Sequence, residues 1–98
     1  MMFVDYGCTY IGWKRGMWYH LASDANVEEL HAFARRLRLR KDWFQPSGSI
    51  PHYDITENKM LLAVQAGAVR VPNREFASRM WNRYVTTPHA EPPEGGSR

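Results

Sequence analysis

Cysteine is almost missing from this chain: Cys8 is the only one in 98 residues. No intrachain disulfide can form, and no cysteine-based zinc site can be built. That composition argues against a secreted, cross-linked scaffold and leads us to expect a reducing, cytoplasmic setting. Long hydrophobic runs are missing too, since none approaches the ~20 residues needed to cross a bilayer. The opening Met1-Met2-Phe3-Val4-Asp5 lacks the basic start of an export signal. There are no internal repeats. Neither sign of charge dominates, with 13 basic against 10 acidic residues and a net charge of +3.

Apolar and aromatic residues are plentiful, at 44% hydrophobic with four Trp and five Tyr, which is enough to form one core. Splitting so short a chain would leave pieces too small to fold without cross-links or metal, so a single domain is expected over residues 1–86. From Thr87 to Arg98 the composition turns to Pro, Glu, Gly and Ser with nothing to bury, which reads as a disordered tail. Domains of this size are modestly stable and gain from oligomerisation, so a homodimer is expected.

The positive charge is unevenly spread. Arg35, Arg36, Arg38, Arg40 and Lys41 place five of the 13 basic residues within seven positions. Such a patch suits phosphate groups, nucleic acid or an acidic protein. It also suits a solvated helix end, where cations meet the negative pole of the helix dipole.

Met2 to Tyr6 reads as a first strand with Asp5 near its end, and Gly7 to Gly16 as a hairpin connection or flap carrying Tyr10, Trp13, Lys14 and Arg15. Met17 to Leu21 reads as a central strand, with Trp18 and His20 on one face and Met17, Tyr19 and Leu21 on the other. Asn26 caps a helix whose buried stripe is Val27, Leu30, Phe33, Ala34 and Leu37, with His31 on its border. Trp43-Phe44-Gln45 leads into Pro- and Ser-rich sequence, and its aromatics are expected to plug the core from a loop. Thr56 caps a second helix with Met60, Leu61, Val64 and Ala63 inward and Gly67 as its left-handed stop. Ala68 to Val71 is a last strand. Asn73 opens a third helix carrying Phe76, Ala77, Met80, Trp81 and Tyr84. The whole reads as an α/β domain, a small mixed sheet of three to four strands packed with two to three helices.

Chemistry concentrates at His52-Tyr53-Asp54. In a strand, His52 and Asp54 point together while Tyr53 points away, and an Asp beside a His orients its imidazole. His20 and His31 are candidates to join them, with Asp5 if the first strand pairs alongside. Two histidines in one pocket suit acid–base cleavage of a phosphodiester, with His20 and His52 as the pair, Asp54 orienting, and Lys59 or Arg15 stabilising phosphoryl charge. His20, His52, Asp5 and Asp54 are also the right donor types for a divalent transition ion. The absence of a helical H-x-x-x-H or a Cys pair favours a site without metal or other cofactor. Trp13, in its Gly-bounded basic loop, and Tyr53 are candidates for stacking or contacting a base.

Trp18-Tyr19-His20-Leu21 with Asp24, Glu29-Leu30-His31-x-Phe33-Ala34, Trp43-Phe44-Gln45, His52-Tyr53-Asp54 and Ala66-Gly67-Ala68 together resemble a family of short bacterial and phage proteins, domain of unknown function 4031. The resemblance spans roughly residues 2–71 and leaves the third helix and tail outside. It implies recurring polar positions at Asp5, His20, Asp24, His31, Gln45, His52, Tyr53 and Asp54, and it brings no activity with it.

The functional expectation is a small cytoplasmic domain that binds a nucleotide or cyclic oligonucleotide, with hydrolysis of its phosphodiester as the reaction the histidines suit. Its site would comprise His20, His52 and Asp54 with Asp5, Trp13, Arg15, His31, Gln45, Tyr53 and Lys59 as ligand contacts. In a phage, such a domain would serve counter-defence by removing a host nucleotide signal. The rival readings are a sponge that sequesters the same nucleotides, and a non-catalytic protein inhibitor or nucleic-acid binder acting through residues 35–41.

Overall fold

Alternation along one strand organises the molecule. In the computed structural model, which describes residues 1–9, 16–46 and 50–85, the run Met17–Ser23 (β3) is the longest strand and lies in the middle of the sheet. Its odd-numbered Tyr19 and Leu21 are buried on one face, and its even-numbered His20 and Ala22 lie on the other. The expected flap residues Tyr10, Trp13, Lys14 and Arg15 fall outside the described residues. So do the Ser47-Gly48-Ser49 segment and the tail from residue 86.

β1 (Met2–Val4) pairs antiparallel with β3, setting Phe3 opposite Ala22 and Val4 opposite Leu21. β5 (His52–Ile55) pairs antiparallel on the other side of β3, with His20 opposite Asp54 and Leu21 opposite Tyr53. Beyond β5 lies β4 (Phe44–Gln45), and beyond β1 lies β6 (Val69–Arg70), whose pairing with β1 is parallel. A two-residue β2 (Cys8–Thr9) pairs with the start of β3. Among the described residues the mixed sheet therefore has six strands, more than the three or four expected. The additions are two-residue strands, too short to leave an alternation in the sequence. Trp43 and Phe44 pack against the core as expected, but from a short turn and strand and not from an irregular loop. Lys41–Trp43 is a 3-10 turn that delivers Phe44 and Gln45 into the edge strand.

The two faces are covered by different helices. α1 (Val27–Arg36) and α2 (Glu57–Gln65) close the first face over Met2, Val4, Tyr19, Leu21, Tyr53 and Ile55. Asn26 caps α1 through its side chain, which accepts from the Glu29 amide at 2.7 Å, and Thr56 caps α2 in the same way. α2 turns only Met60 and Ala63 inward. Leu61 and Val64 were expected beside them but are exposed, because inward positions three apart leave each following residue rotated toward solvent. α3 (Asn73–Tyr84) covers the second face with Phe76 and Met80 against Phe3, Ala22 and Val71, while Trp81 faces outward and the exposed Ala77 lines the cleft beside Phe76. The Tyr84 hydroxyl donates to the Ser23 carbonyl at 2.5 Å and pins the far end of α3 to β3.

No described helix is long and apolar enough to cross a membrane.

Candidate functional site

Register and pleat assemble a polar cluster on the face that α3 covers. His20 sits directly opposite Asp54, and His52 lies two residues before Asp54 on β5, so all three side chains rise from the same side. Gln45, opposite His52 on β4, shares that side. Asp5, two residues beyond Phe3, completes the row at the end of β1.

Asp5 is 3% exposed and saturated with donors. Its Oδ1 accepts the backbone N–H groups of Gly7 and His20, each at 3.0 Å, and its Oδ2 accepts the His20 Nδ1–H at 2.6 Å. The Gly7 amide reaches Asp5 because the chain turns there with φ +89, and a Cβ at Gly7 would lie 2.6 Å from the Tyr19 ring. Both the conformation and the close approach require glycine. His52 is oriented in the same manner, its Nδ1–H donating to the Ile50 carbonyl at 2.8 Å.

These bonds commit both imidazoles to carrying hydrogen on Nδ1, which leaves each Nε2 facing inward. His52 Nε2 lies 3.3 Å and His20 Nε2 3.7 Å from the same oxygen, Asp54 Oδ1. The rings meet edge to face with centroids 5.0 Å apart. Among the described residues, His20, His52 and Asp54 form a set of metal-capable groups whose ligand atoms lie within 4.8 Å of one another.

The cluster opens into a cleft of about 300 Å³ bounded by Asp5, His20, His52, Asn73 and Phe76. Asn73 fixes the start of α3 there, accepting from the Tyr6 amide at 2.8 Å and donating to the Gly7 carbonyl at 3.0 Å. Sequence reasoning had passed over Asn73 and Phe76 as cleft walls. Asn73 looked only like a helix start, and Phe76 only like a core residue.

The structure divides the remaining expected site residues. His31 and Tyr53 lie together on the opposite face, with Tyr53 Oη and His31 Nδ1 hydrogen-bonded at 2.9 Å. Burial pushes the Tyr53 phenol above its usual range, against the pull of Arg35, so its hydroxyl keeps its proton near neutrality. Lys59 belongs to that side too, its Nζ donating to the Leu37 carbonyl at 2.9 Å beyond the end of α1. Asp24 stands at the end of β3, beside the Met1 amine at 3.0 Å. Among the described residues, the sheet thus separates His31, Tyr53 and Lys59 from His20, His52 and Asp54. The cause is the pleat itself: adjacent residues of one strand cannot share a face.

Fold and site define a class: a small α/β domain whose central strands hold two histidines and a carboxylate under a covering helix. The chain belongs to the family described as protein of unknown function DUF4031, whose model matches residues 3–83. The match includes nearly all of α3, which the resemblance seen in the sequence alone had left outside. No curated protein and no solved structure matches the chain.

Proposed function

We propose that this chain is a metal-dependent domain acting on a phosphate ester, with a divalent transition-metal ion held by His20 Nε2, His52 Nε2 and the Asp54 carboxylate. The observation that carries the proposal is the convergence of both Nε2 atoms on Asp54 Oδ1 at 3.3 and 3.7 Å while each Nδ1–H is committed to an outer acceptor. An imidazole that carries its hydrogen on Nδ1 offers its Nε2 lone pair to a cation, and a positive charge beside the buried Asp54 carboxylate offsets the cost of burying it. A divalent ion supplies that charge. Ligand atoms about 2.1 Å from a tetrahedral ion lie about 3.4 Å from each other, close to the spacings found. The outer contacts of Asp5 and the Ile50 carbonyl are the partners that metal-bound histidines use.

An acid–base pair working without metal fits less well. Two nitrogens converging on one oxygen leave no room for a phosphorus atom between them. The carboxylates of Asp5 and Asp54 would also repel an anionic ligand unless a cation lay beside them. An ion held by His20, His52 and Asp54 would polarise a phosphoryl oxygen and activate water. In this reading Asn73 and Phe76 position the ligand, and a nucleotide or cyclic oligonucleotide is its class. The cytoplasm, which suits the lone Cys8, is the compartment we assign.

The test is incubation of EDTA-stripped protein with cyclic dinucleotides, linear nucleotides and an activated phosphodiester, with and without zinc or manganese. Turnover that depends on added metal and disappears in His52→Ala supports the proposal. Turnover unchanged by EDTA would restore the metal-free acid–base mechanism, and ligand recovered intact would mean sequestration.

A further inference from the structure

The face opposite the histidine cluster carries a second cavity of about 430 Å³, between α1, the chain that follows it and the edge strand β4. Its body is apolar and aromatic: Ala34 and Leu39 with the rings of Phe44 and Tyr53, whose centroids are 5.2 Å apart. His31 closes one wall, its ring edge-on to Phe44 at 4.6 Å and hydrogen-bonded to the Tyr53 hydroxyl. Arg35 and Lys41 line the same cavity and are exposed to solvent.

The basic run therefore does not act as one patch. Arg40 is paired with Asp42 through two bonds of 3.1 Å, and Arg36 lies over the Phe33 ring at 5.7 Å. Arg38 takes the left-handed turn, φ 58, after α1, and Leu39 follows it with its amide bonded to the Ala34 carbonyl at 3.0 Å. That turn is what carries Leu39 into the cavity. Among the described residues no carboxylate forms an ion pair with Arg35 or Lys41.

From this placement we propose a second ligand site, independent of the metal reading, that takes a small anion with a flat ring: the ring against Phe44 and Tyr53, and a phosphate or carboxylate on Arg35 and Lys41. A guanidinium presents a planar fork to either anion, and an ammonium adds a point charge. Aromatic walls favour a planar body by stacking, and the volume admits a ligand the size of a mononucleotide. The two sites have opposite preferences, one for a cation and one for an anion. They share a strand, because His52 and Asp54 point to the first and Tyr53 to the second.

Titration of EDTA-treated protein by calorimetry with adenosine monophosphate and with indole-3-carboxylate tests this, the two probes separating phosphate from carboxylate recognition. Saturable one-to-one binding of at least one probe is expected. It should weaken at least tenfold in Arg35→Glu/Lys41→Glu, two exposed positions whose variant is checked for folding by circular dichroism, and stay within twofold in His52→Ala. Binding that survives the charge reversal, or that is lost in His52→Ala, would overturn the assignment. So would the absence of binding by either probe, or affinity only for long polyanions with a steep salt dependence, which would mark a nucleic-acid surface instead. Wild-type protein that takes up no divalent ion yet still binds a probe would refute the proposed function and leave this site standing.

Discussion

His20 and Asp54 face each other as directly paired residues of β3 and β5, and the His20 imidazole bridges two buried carboxylates, with Nδ1 2.6 Å from Asp5 and Nε2 3.7 Å from Asp54. One carboxylate orients the ring and the other shares its inward-facing nitrogen. That division of labour makes Asp5 a positioning residue.

Asp5→Asn should leave the fold intact, since an amide oxygen still accepts the Gly7 and His20 backbone N–H groups. The replaced oxygen no longer holds the His20 Nδ1–H, so metal affinity should fall about 10- to 100-fold. Calorimetric titration with zinc checks the affinity, and circular dichroism checks the fold. Unchanged affinity would show that Asp5 serves the backbone alone.

Gly7→Ala tests the turn that builds the site. The left-handed conformation costs a side chain about 1–2 kcal/mol, and the overlap with Tyr19 adds to it. A drop in melting temperature of about 10 °C is expected for a domain of this size. A shift within a degree or two of wild type would mean that the Gly7 turn relaxes without cost.

High pH should destabilise the protein through two phenols. Burial raises Tyr53 and Tyr84 above the ordinary value of 10.0, with Arg35 and Arg83 partly opposing. The unfolded chain therefore loses these protons first. Their contribution is whole below pH about 10 and is lost as pH rises from there through the folded-state values. Urea unfolding across that range should show stability falling with pH, and Tyr53→Phe/Tyr84→Phe should flatten the fall. An equally steep fall in the double variant would assign it to other groups.

Much of this architecture was legible in the sequence because its signals are local. Asn26 and Thr56 announced their helices through side-chain caps, Gly67 its left-handed turn with φ 114, and Tyr19 and Leu21 their face by alternation. His52 and Asp54 could be put on one face for the same reason. The strand pairing that sets His20 opposite Asp54 is non-local, so the sequence could nominate those residues without specifying how near they come. Alternation already turned Tyr53 away from His52 and Asp54, but the side His31 takes depends on how α1 packs on the sheet, which no local pattern shows. The two-residue strands at Cys8 and Phe44 follow from partners elsewhere in the sheet and from no pattern of their own, whereas the strand at Val69 was legible in its short apolar run.

The most direct test of the metal centre is calorimetric titration of EDTA-stripped protein with zinc, run in parallel on wild type and His52→Ala. The account predicts one ion per chain, so that zinc at about 100 times its Kd stabilises the wild type by about 2.7 kcal/mol, with that binding lost in the variant. Wild-type protein that takes up no divalent ion, or a variant that binds as well as wild type, would contradict it.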